Sequence, residues 1–205
     1  MASSSTLSRR ERAALLAASD LPRKFGRYVL LRRVAKGGMG EVMLAATLGL
    51  EGAERPVIVK TIRSEHRTDQ SFKARFLDEA RVQAQLEHSG VAKVIEATQE
   101  EGSGEPYVVV EYVEGRSLGE IRARSLAAGI RVEWEEAVAI IQLAAEALAH
   151  VHERTDSHGK PLSIVHRDLS PQNVMVSYAG EVKVIDFGTA RGENRRCHTV
   201  SGVVY

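Results

Sequence analysis

Cysteine is nearly absent from this 205-residue chain, in which Cys197 is the only one. A single cysteine can form no intrachain disulfide, and it excludes a zinc site built from several thiolates. Low cysteine usage fits a reducing compartment, so a cytoplasmic location is expected. The chain is nevertheless long enough to bury a hydrophobic core without covalent cross-links.

An excess of charge of one sign is also missing, as are long apolar runs. The 28 basic and 27 acidic residues leave a formal net charge of +1, which gives no electrostatic reason to expect nucleic acid or an anionic membrane as a partner. No apolar run approaches the roughly 20 residues that a transmembrane helix needs, so no membrane segment is predicted. Nothing in the composition indicates an oligomeric state.

The first half of the chain predicts a small antiparallel sheet with one helix. Residues 1–24, rich in Ser, Arg and Ala, are interpreted as a mobile leader. Beyond them, β-rich segments alternate with glycine and polar stretches, and one charged segment carries apolar residues at helical spacing. Strands are predicted at 28–34, 42–46, 56–62, 91–97 and 106–113, and the helix at 71–87.

The second half predicts helices followed by short strands. In the helix predicted at 133–152, apolar residues recur at helical spacing and form a stripe. Further along the chain, Val174 and Val176 alternate opposite Val182 and Val184 across Ala179-Gly180, as in a β-hairpin. The predicted stripe consists of Ala137, Ile140, Ile141, Ala144, Leu148 and Val151. The predicted elements are helices at 117–128 and 133–152, a strand at 163–165, and a hairpin of 173–177 with 181–185.

A glycine cluster lies between the first two predicted strands. Gly37, Gly38 and Gly40 lack Cβ atoms, which would let backbone N–H groups approach a phosphate. A flexible hairpin has the same pattern, so the cluster alone does not decide. The absence of a following Lys-Ser or Lys-Thr, and a strand rather than a helix after the cluster, argue against a Walker-type P-loop.

Two charged residues stand out against their surroundings. Lys60 interrupts an apolar strand, where a lysine is expected to be either exposed at an edge or paired. Glu79 lies on the predicted helix that follows and could reach the sheet to hold the Lys60 ammonium toward a phosphate. An edge lysine and an ordinary surface glutamate remain the alternative interpretation.

The most specific pattern is His-Arg-Asp-Leu-Ser-Pro-Gln-Asn at 166–173, which we call the catalytic loop, followed by Asp-Phe-Gly at 186–188. Asp168 can accept a proton from a hydroxyl nucleophile. Asn173 and Asp186 offer the hard oxygen ligands that Mg²⁺ prefers. Turn-forming residues at strand ends explain any one of these positions, but not their joint spacing.

Taken in order, these motifs resemble those of the protein kinase superfamily, and in particular the bacterial Ser/Thr kinases of eukaryotic (Hanks) type. The resemblance covers about residues 25–205 and implies an α+β, bilobal fold. It predicts a small lobe at 25–112, with an antiparallel sheet and one helix, and part of a mainly helical large lobe at 113–205. The chain is expected to end within the activation segment, after Asp186.

The resemblance also implies roles for individual residues, with ATP and Mg²⁺ as cofactors and proteins as substrates. Asp168 would be the base, Lys60 held by Glu79 would touch the phosphates, and Asn173 and Asp186 would hold Mg²⁺. Residues 110–115 resemble the hinge between lobes, with Val110 as gatekeeper. The implied ATP-binding residues are Ala35, Gly37, Gly38, Gly40, Val42, Lys60, Val110, Glu111 and Val113.

Regulation and two departures complete the comparison with the family. Arg167 would bind a phosphate placed on Thr199 or Ser201 of the activation segment. Ala35 replaces the first loop glycine, and Ser170 stands where Ser/Thr kinases usually carry a lysine. Two alternatives to a protein kinase remain open: a nucleotide-binding scaffold without phosphotransfer, and a small-molecule kinase of the same fold.

Overall fold

The computed structural model describes residues 21–36, 40–47, 54–62, 66, 68–155 and 158–187. Residues 1–20 of the predicted leader lie outside the described residues. So do five residues with predicted roles or motif positions, namely Gly37, Gly38, Gly188, Thr199 and Ser201. Within the described ranges the chain forms a six-stranded sheet, a three-stranded sheet and three helices.

The larger sheet is antiparallel throughout, with strand order β1-β2-β3-β4-β6-β5. Strand β4 is therefore central, between β3 and β6. Every connection except the one between β4 and β5 joins sequence neighbours in the sheet, which suits an antiparallel meander. The strands are β1 (Arg23–Phe25), β2 (Tyr28–Lys36), β3 (Gly40–Thr47), β4 (Pro56–Ile62), β5 (Val94–Gln99) and β6 (Pro106–Glu111).

The two faces of this sheet are covered differently because side chains alternate along each strand. On β4, Val57 and Val59 belong to a buried cluster with Tyr28 and Tyr107, and Phe25 of β1 packs edge-on against Tyr107 at a ring-centroid distance of 5.1 Å. The opposite face carries a second apolar cluster made by Ala80, Val94, Val108 and Val110, with Ile58 and Phe76 packed against it.

Helix α1 (Gln70–Gln83) covers that second face. Asp69 caps its N-terminus, because the carboxylate accepts hydrogen bonds from the backbone N–H groups of Ser71 and Phe72. Ala80 and Phe76 are four residues apart and so lie on one side of the helix, against the sheet. The helix that was predicted to carry Glu79 near the sheet is thus present. It ends at Gln83, four residues before the predicted end at residue 87.

The helical region follows β7 (Gly115–Ser117). Ser117 and Glu120 form a capping box at the start of α2 (Leu118–Ala128), which ends at Gly129 with φ +66°. Helix α3 (Trp134–His152) comes next, and the smaller sheet is completed by β8 (Val174–Ser177) and β9 (Val182–Val184) in the order β7-β8-β9.

A core cluster joins α3 to the smaller sheet. Val151 and Ala147 of α3 are fully buried, and Phe187 is 1% exposed. Of the predicted stripe, Ala144 and Val151 are buried, whereas Ala137 and Ile141 lie on the exposed side of α3. The buried members of the cluster are Leu86, Val91, Ala144, Ala147, Val151, Ile164, Val174, Val182, Val184 and Phe187.

The predicted hairpin is confirmed, with Val174 opposite Val184 and Val176 opposite Val182. The predicted strand at 163–165 is wrong: the segment is not part of a strand, and Ser163 has a left-handed backbone with φ +51°. None of the helices in the described part of the chain is long and apolar enough to cross a lipid bilayer.

Candidate active site

Lys60 lies in the centre of the larger sheet rather than at an edge. Its register partners are Val42 on β3 and Val108 on β6, and Val42 is in turn opposite Ala35 on β2. Directly opposed residues of antiparallel strands share a face, so Ala35, Val42 and Lys60 form a row across three strands. Of the predicted ATP-binding residues, these three are brought together.

The Lys60 ammonium contacts the carboxylate of Asp186, which lies two residues beyond β9. Burial lowers the pKa of Lys60 to about 8 because the charged form loses hydration. Asp186 has a left-handed backbone, with φ +62°. A side chain from the larger sheet and one from the end of the smaller sheet thus meet across the gap between the two.

The buried His166 side chain connects the catalytic loop to the segment that follows β9. The ring is 2% exposed. Its Nδ1 accepts a hydrogen bond from the Asp168 backbone N–H at 3.3 Å, and its Nε2 lies 2.9 Å from the Ile185 carbonyl oxygen. An Nδ1 that accepts requires the proton on Nε2, which then donates to Ile185. The ring also packs against Phe187 with 4.6 Å between centroids.

Asn173 connects the catalytic loop to the hairpin. Its Nδ2 donates to the backbone oxygen of Asp168 at 2.8 Å and to Asp168 Oδ2 at 3.3 Å. The backbone carbonyl oxygen of Asn173 accepts a hydrogen bond from the Ile185 N–H at 2.9 Å. Because the amide nitrogen is used by Asp168, the side-chain Oδ1 is the atom available to a cation, together with the oxygens of the Asp186 carboxylate. This donor set fits Mg²⁺.

Glu79 is not brought to Lys60 in this structure. Among the described residues, the ion pair of Lys60 is with Asp186, and Glu79 makes none with it. Burial raises the pKa of Glu79 to about 7, which the charge of Arg75 opposes. A raised pKa reflects a half-buried carboxyl that lacks a close cation. The Lys60–Glu79 pairing stays a prediction.

The predicted hinge, residues 110–115, comprises the last two residues of β6 and the segment that leads into β7. Val110 is 6% and Val113 7% exposed, and Val110 is opposite Ile58 of β4. The Glu111 N–H donates to the Lys93 carbonyl oxygen at 2.8 Å, so the loop before β5 supports this segment from behind. The hinge lies at the junction of the two sheets, since Gly115 begins β7.

Gly40 is required by close strand approach. A Cβ added to Gly40 would lie 1.6 Å from the Thr61 carbonyl oxygen on β4, so a side chain cannot be accommodated there. Sequence reasoning explains this glycine by phosphate binding or by a flexible hairpin, and the structure adds a packing reason. Arg167 is exposed with φ +63°, and its predicted phosphate partners lie outside the described residues.

The sequence reasoning missed an ion pair between the hinge and β9. Lys183 on β9 lies 2.9 Å from Glu111, with its side chain 11% exposed. The available signal was the same as for Lys60, because Lys183 is a lysine between two buried valines in a short strand. Within the described ranges, no group of three or more His, Cys, Asp or Glu residues forms an additional metal site.

A two-faced antiparallel sheet with one helix, joined by a hinge to a helical region, is the organisation of a protein kinase. So is the convergence of Lys60, Asp168, Asn173 and Asp186 at their junction. The sequence matches the family profile described as protein kinase domain over residues 28–204. The chain belongs to the protein kinase family, and the α+β, bilobal, incomplete fold expected from the sequence is confirmed.

Named relatives agree with this family. The chain is 37% identical over 180 residues to the tyrosine-protein kinase MasK of Myxococcus xanthus, covering 88% of this chain and 28% of that protein. It is 34% identical to the serine/threonine-protein kinase PrkC of Bacillus subtilis, covering 80% and 23%, and 34% identical to PknA of Mycobacterium tuberculosis, covering 87% and 39%. The chain therefore spans less than half the length of each of these relatives.

A solved structure shows the same fold. The chain superposes on the PknI kinase domain of Mycobacterium tuberculosis with a TM-score of 0.62 and 26% identity, covering 83% of this chain and 63% of that one. The protein kinase family generally uses ATP and Mg²⁺ and acts on protein substrates.

Proposed function

We propose that this chain carries the nucleotide-binding and catalytic residues of an ATP-dependent serine/threonine protein kinase. The reaction transfers the γ-phosphoryl group of ATP to a Ser or Thr hydroxyl of a protein. The observation that supports this most is that Lys60 pairs with Asp186 and Asn173 bonds to Asp168. The Ile185 N–H, next to Asp186, donates to the Asn173 backbone oxygen and so joins the two pairs. The relatives named as serine/threonine kinases support the same conclusion.

The roles follow from the chemistry of each group. Asp168 is exposed and its carboxylate is oriented by Asn173, so it can accept the proton of an incoming hydroxyl. Asn173 Oδ1 and the Asp186 carboxylate would hold Mg²⁺, which neutralises charge on the phosphates when bound. Lys60 supplies a positive charge beside Asp186.

The nucleotide would lie between the row of Ala35, Val42 and Lys60 and the hinge. Its adenine would meet the backbone of Glu111 and Val113, next to Val110. The loop containing Gly37 and Gly38 would cover the phosphates. These assignments make residues 25–112 a small lobe and 113–205 part of a large lobe. Of the predicted leader 1–24, Arg23 and Lys24 pair with β2 as part of β1 and so join the small lobe.

Tyrosine is a second candidate for the acceptor. MasK, a relative at 37% identity, is named a tyrosine-protein kinase, and Ser170 stands where Ser/Thr kinases usually carry a lysine. Ser170 contributes its carbonyl oxygen to the Asn173 N–H at 2.9 Å, and that contact depends on the backbone rather than on the side chain.

Cellular context completes the proposal. A cytoplasmic location, ATP and protein substrates as partners, and no nucleic-acid partner agree with the near-neutral charge and the single cysteine. Phosphate on Thr199 or Ser201 would pair with Arg167, which is exposed beside the base Asp168. Phosphopeptide mapping of autophosphorylated protein tests this regulation, and an absence of phosphate at both residues would contradict it.

Transfer of labelled γ-phosphate tests the function. The protein is incubated with Mg²⁺, labelled ATP and generic protein substrates, and the labelled amino acids are identified. We expect phosphoserine and phosphothreonine, with Asp168→Asn lowering the rate about 10²- to 10⁴-fold while nucleotide binding persists. Phosphotyrosine alone would favour the second acceptor. Binding without transfer to proteins or to aminoglycoside-like alcohols would support the scaffold alternative.

A further inference from the structure

The Glu111–Lys183 ion pair connects the hinge to the strand that leads to Asp186. Lys183 is the middle residue of β9, and its neighbours Val182 and Val184 are buried in the core cluster on the other face. Lys183 Nζ lies 2.9 Å from Glu111 Oε1, with side-chain exposures of 11% and 32%. Because the Lys183 ammonium is largely withdrawn from water, it needs Glu111 as a charge partner.

The Glu111 carboxylate is held from a second side as well. Its Oε2 accepts a hydrogen bond from the Lys93 N–H at 3.1 Å, while the Glu111 N–H donates to the Lys93 carbonyl oxygen. With one oxygen on Lys183 and the other on the loop before β5, the side chain has little freedom to rotate. Glu111 is therefore a fixed anchor at the start of the hinge.

β9 is equally fixed at its other end. Asp186 follows Lys183 by three residues, and Ile185 between them bonds to Asn173 and lies against His166 Nε2. Val184 exchanges backbone hydrogen bonds with Gly90 and Ala92. Beyond these backbone contacts, Lys183 adds the side-chain link from the Asp186 segment to the hinge.

We propose that Glu111 and Lys183 are positioning residues that fix the distance between the adenine-binding hinge and the Mg²⁺-binding Asp186. The inference rests on the proposed nucleotide site. Neither side chain is among the groups assigned to the phosphates. The pair acts by keeping two subsites in register, so it matters to a ligand that uses both and not to a ligand that uses one.

The test compares two ligands on the same variants. Adenosine needs only the hinge, whereas a non-hydrolysable ATP analogue with Mg²⁺ needs both the hinge and Asp186. Measured by calorimetry, Lys183→Met should lower the affinity for the ATP analogue with Mg²⁺ by at least about fivefold. The affinity for adenosine should be essentially unchanged. Lys183→Arg, which retains the charge, should recover most of the loss. Glu111→Gln should weaken Mg²⁺–nucleotide binding to a similar degree, and the double variant should add little to that loss.

Arg81→Met is the matched control, because it removes an ion pair with Asp78 whose partners are 70% and 66% exposed. It should change neither affinity. Equal weakening of both ligands by Lys183→Met would show a general structural role and overturn the proposal, as would tighter or unchanged nucleotide binding. If the unmodified protein binds neither adenosine nor the ATP analogue with Mg²⁺, the proposed function itself fails, and this inference fails with it.

Discussion

Replacing Glu79 by glutamine tests the arrangement of the site at the residue where structure and family pattern differ. Burial raises the pKa of the Glu79 carboxyl from 4.5 to about 7. Since a tenfold change in acidity corresponds to 1.36 kcal/mol, ionising this group in the folded protein costs about 3 kcal/mol. The side chain is only half-buried, so solvent screening reduces the observable effect to about 1–2 kcal/mol.

The sign of the pH dependence follows from the direction of the shift. The pKa of Glu79 is higher in the folded than in the unfolded chain, so its contribution to stability is fully present below about pH 4.5 and is lost as pH rises through about 7. Glutamine has nearly the same shape and cannot ionise. Glu79→Gln should therefore stabilise the protein by about 1–2 kcal/mol at about pH 8 and by much less at about pH 5.

Urea unfolding followed by circular dichroism measures this difference. Circular dichroism is preferable to fluorescence because the single tryptophan, Trp134, is 70% exposed and a weak reporter of unfolding. Glu87→Gln, at an exposed glutamate beyond the end of α1, is the control and should leave the pH dependence unchanged. A Glu79→Gln protein that is less stable than wild type at about pH 8 would refute the reasoning, because it would show an ionised Glu79 already paired with a cation.

Three further substitutions test the packing that positions the site. Gly40→Ala should destabilise the protein by about 1–3 kcal/mol, since its Cβ would collide with the Thr61 carbonyl; an unchanged thermal midpoint would contradict this. Tyr28→Phe should lose about 2 kcal/mol in urea unfolding, because the buried hydroxyl donates to Glu96 at 2.5 Å, and no loss would mean that Arg27 alone satisfies Glu96. Phe187→Ala should cost about 3–5 kcal/mol because Phe187 is 1% exposed in the core; a cost below that of an ordinary surface change would show that the core collapses around the gap.

The parts of the site that could be predicted lie close together in sequence. Asn173 immediately precedes β8, and Asp186 follows β9 by two residues. The hairpin register, with Val174 opposite Val184, brings the ends of these strands together. Alternating valines around Ala179-Gly180 are enough to predict this register. The proximity of Asn173 to the Asp186 segment therefore follows from local pattern.

The two strands that were not predicted and the one predicted wrongly have a common cause. β1 and β7 are three residues long, too short to show alternation, and they form because β2 and β8 offer unpaired edges. The apolar segment at 163–165 buries Ile164 at 4% exposure and leaves Val165 46% exposed. It packs by one side chain while its backbone, with Ser163 at φ +51°, joins no strand. Apolar β-branched composition reports burial as much as pairing.

The partner of Lys60 lies beyond any local pattern, because the sequence offers two candidate carboxylates, Glu79 and Asp186, and the structure pairs Lys60 with Asp186. Asp186 reaches it from the end of β9, whereas Glu79 is carried by α1, and the choice depends on where α1 lies relative to the sheet. With Asp186 as partner, Glu79 remains half-buried with a raised pKa. A movement of α1 that brought Glu79 to Lys60 would lower that pKa and release the Asp186 carboxylate for a cation. The two arrangements therefore differ in proton content, and a rise in pH favours the one in which Glu79 is ionised and paired.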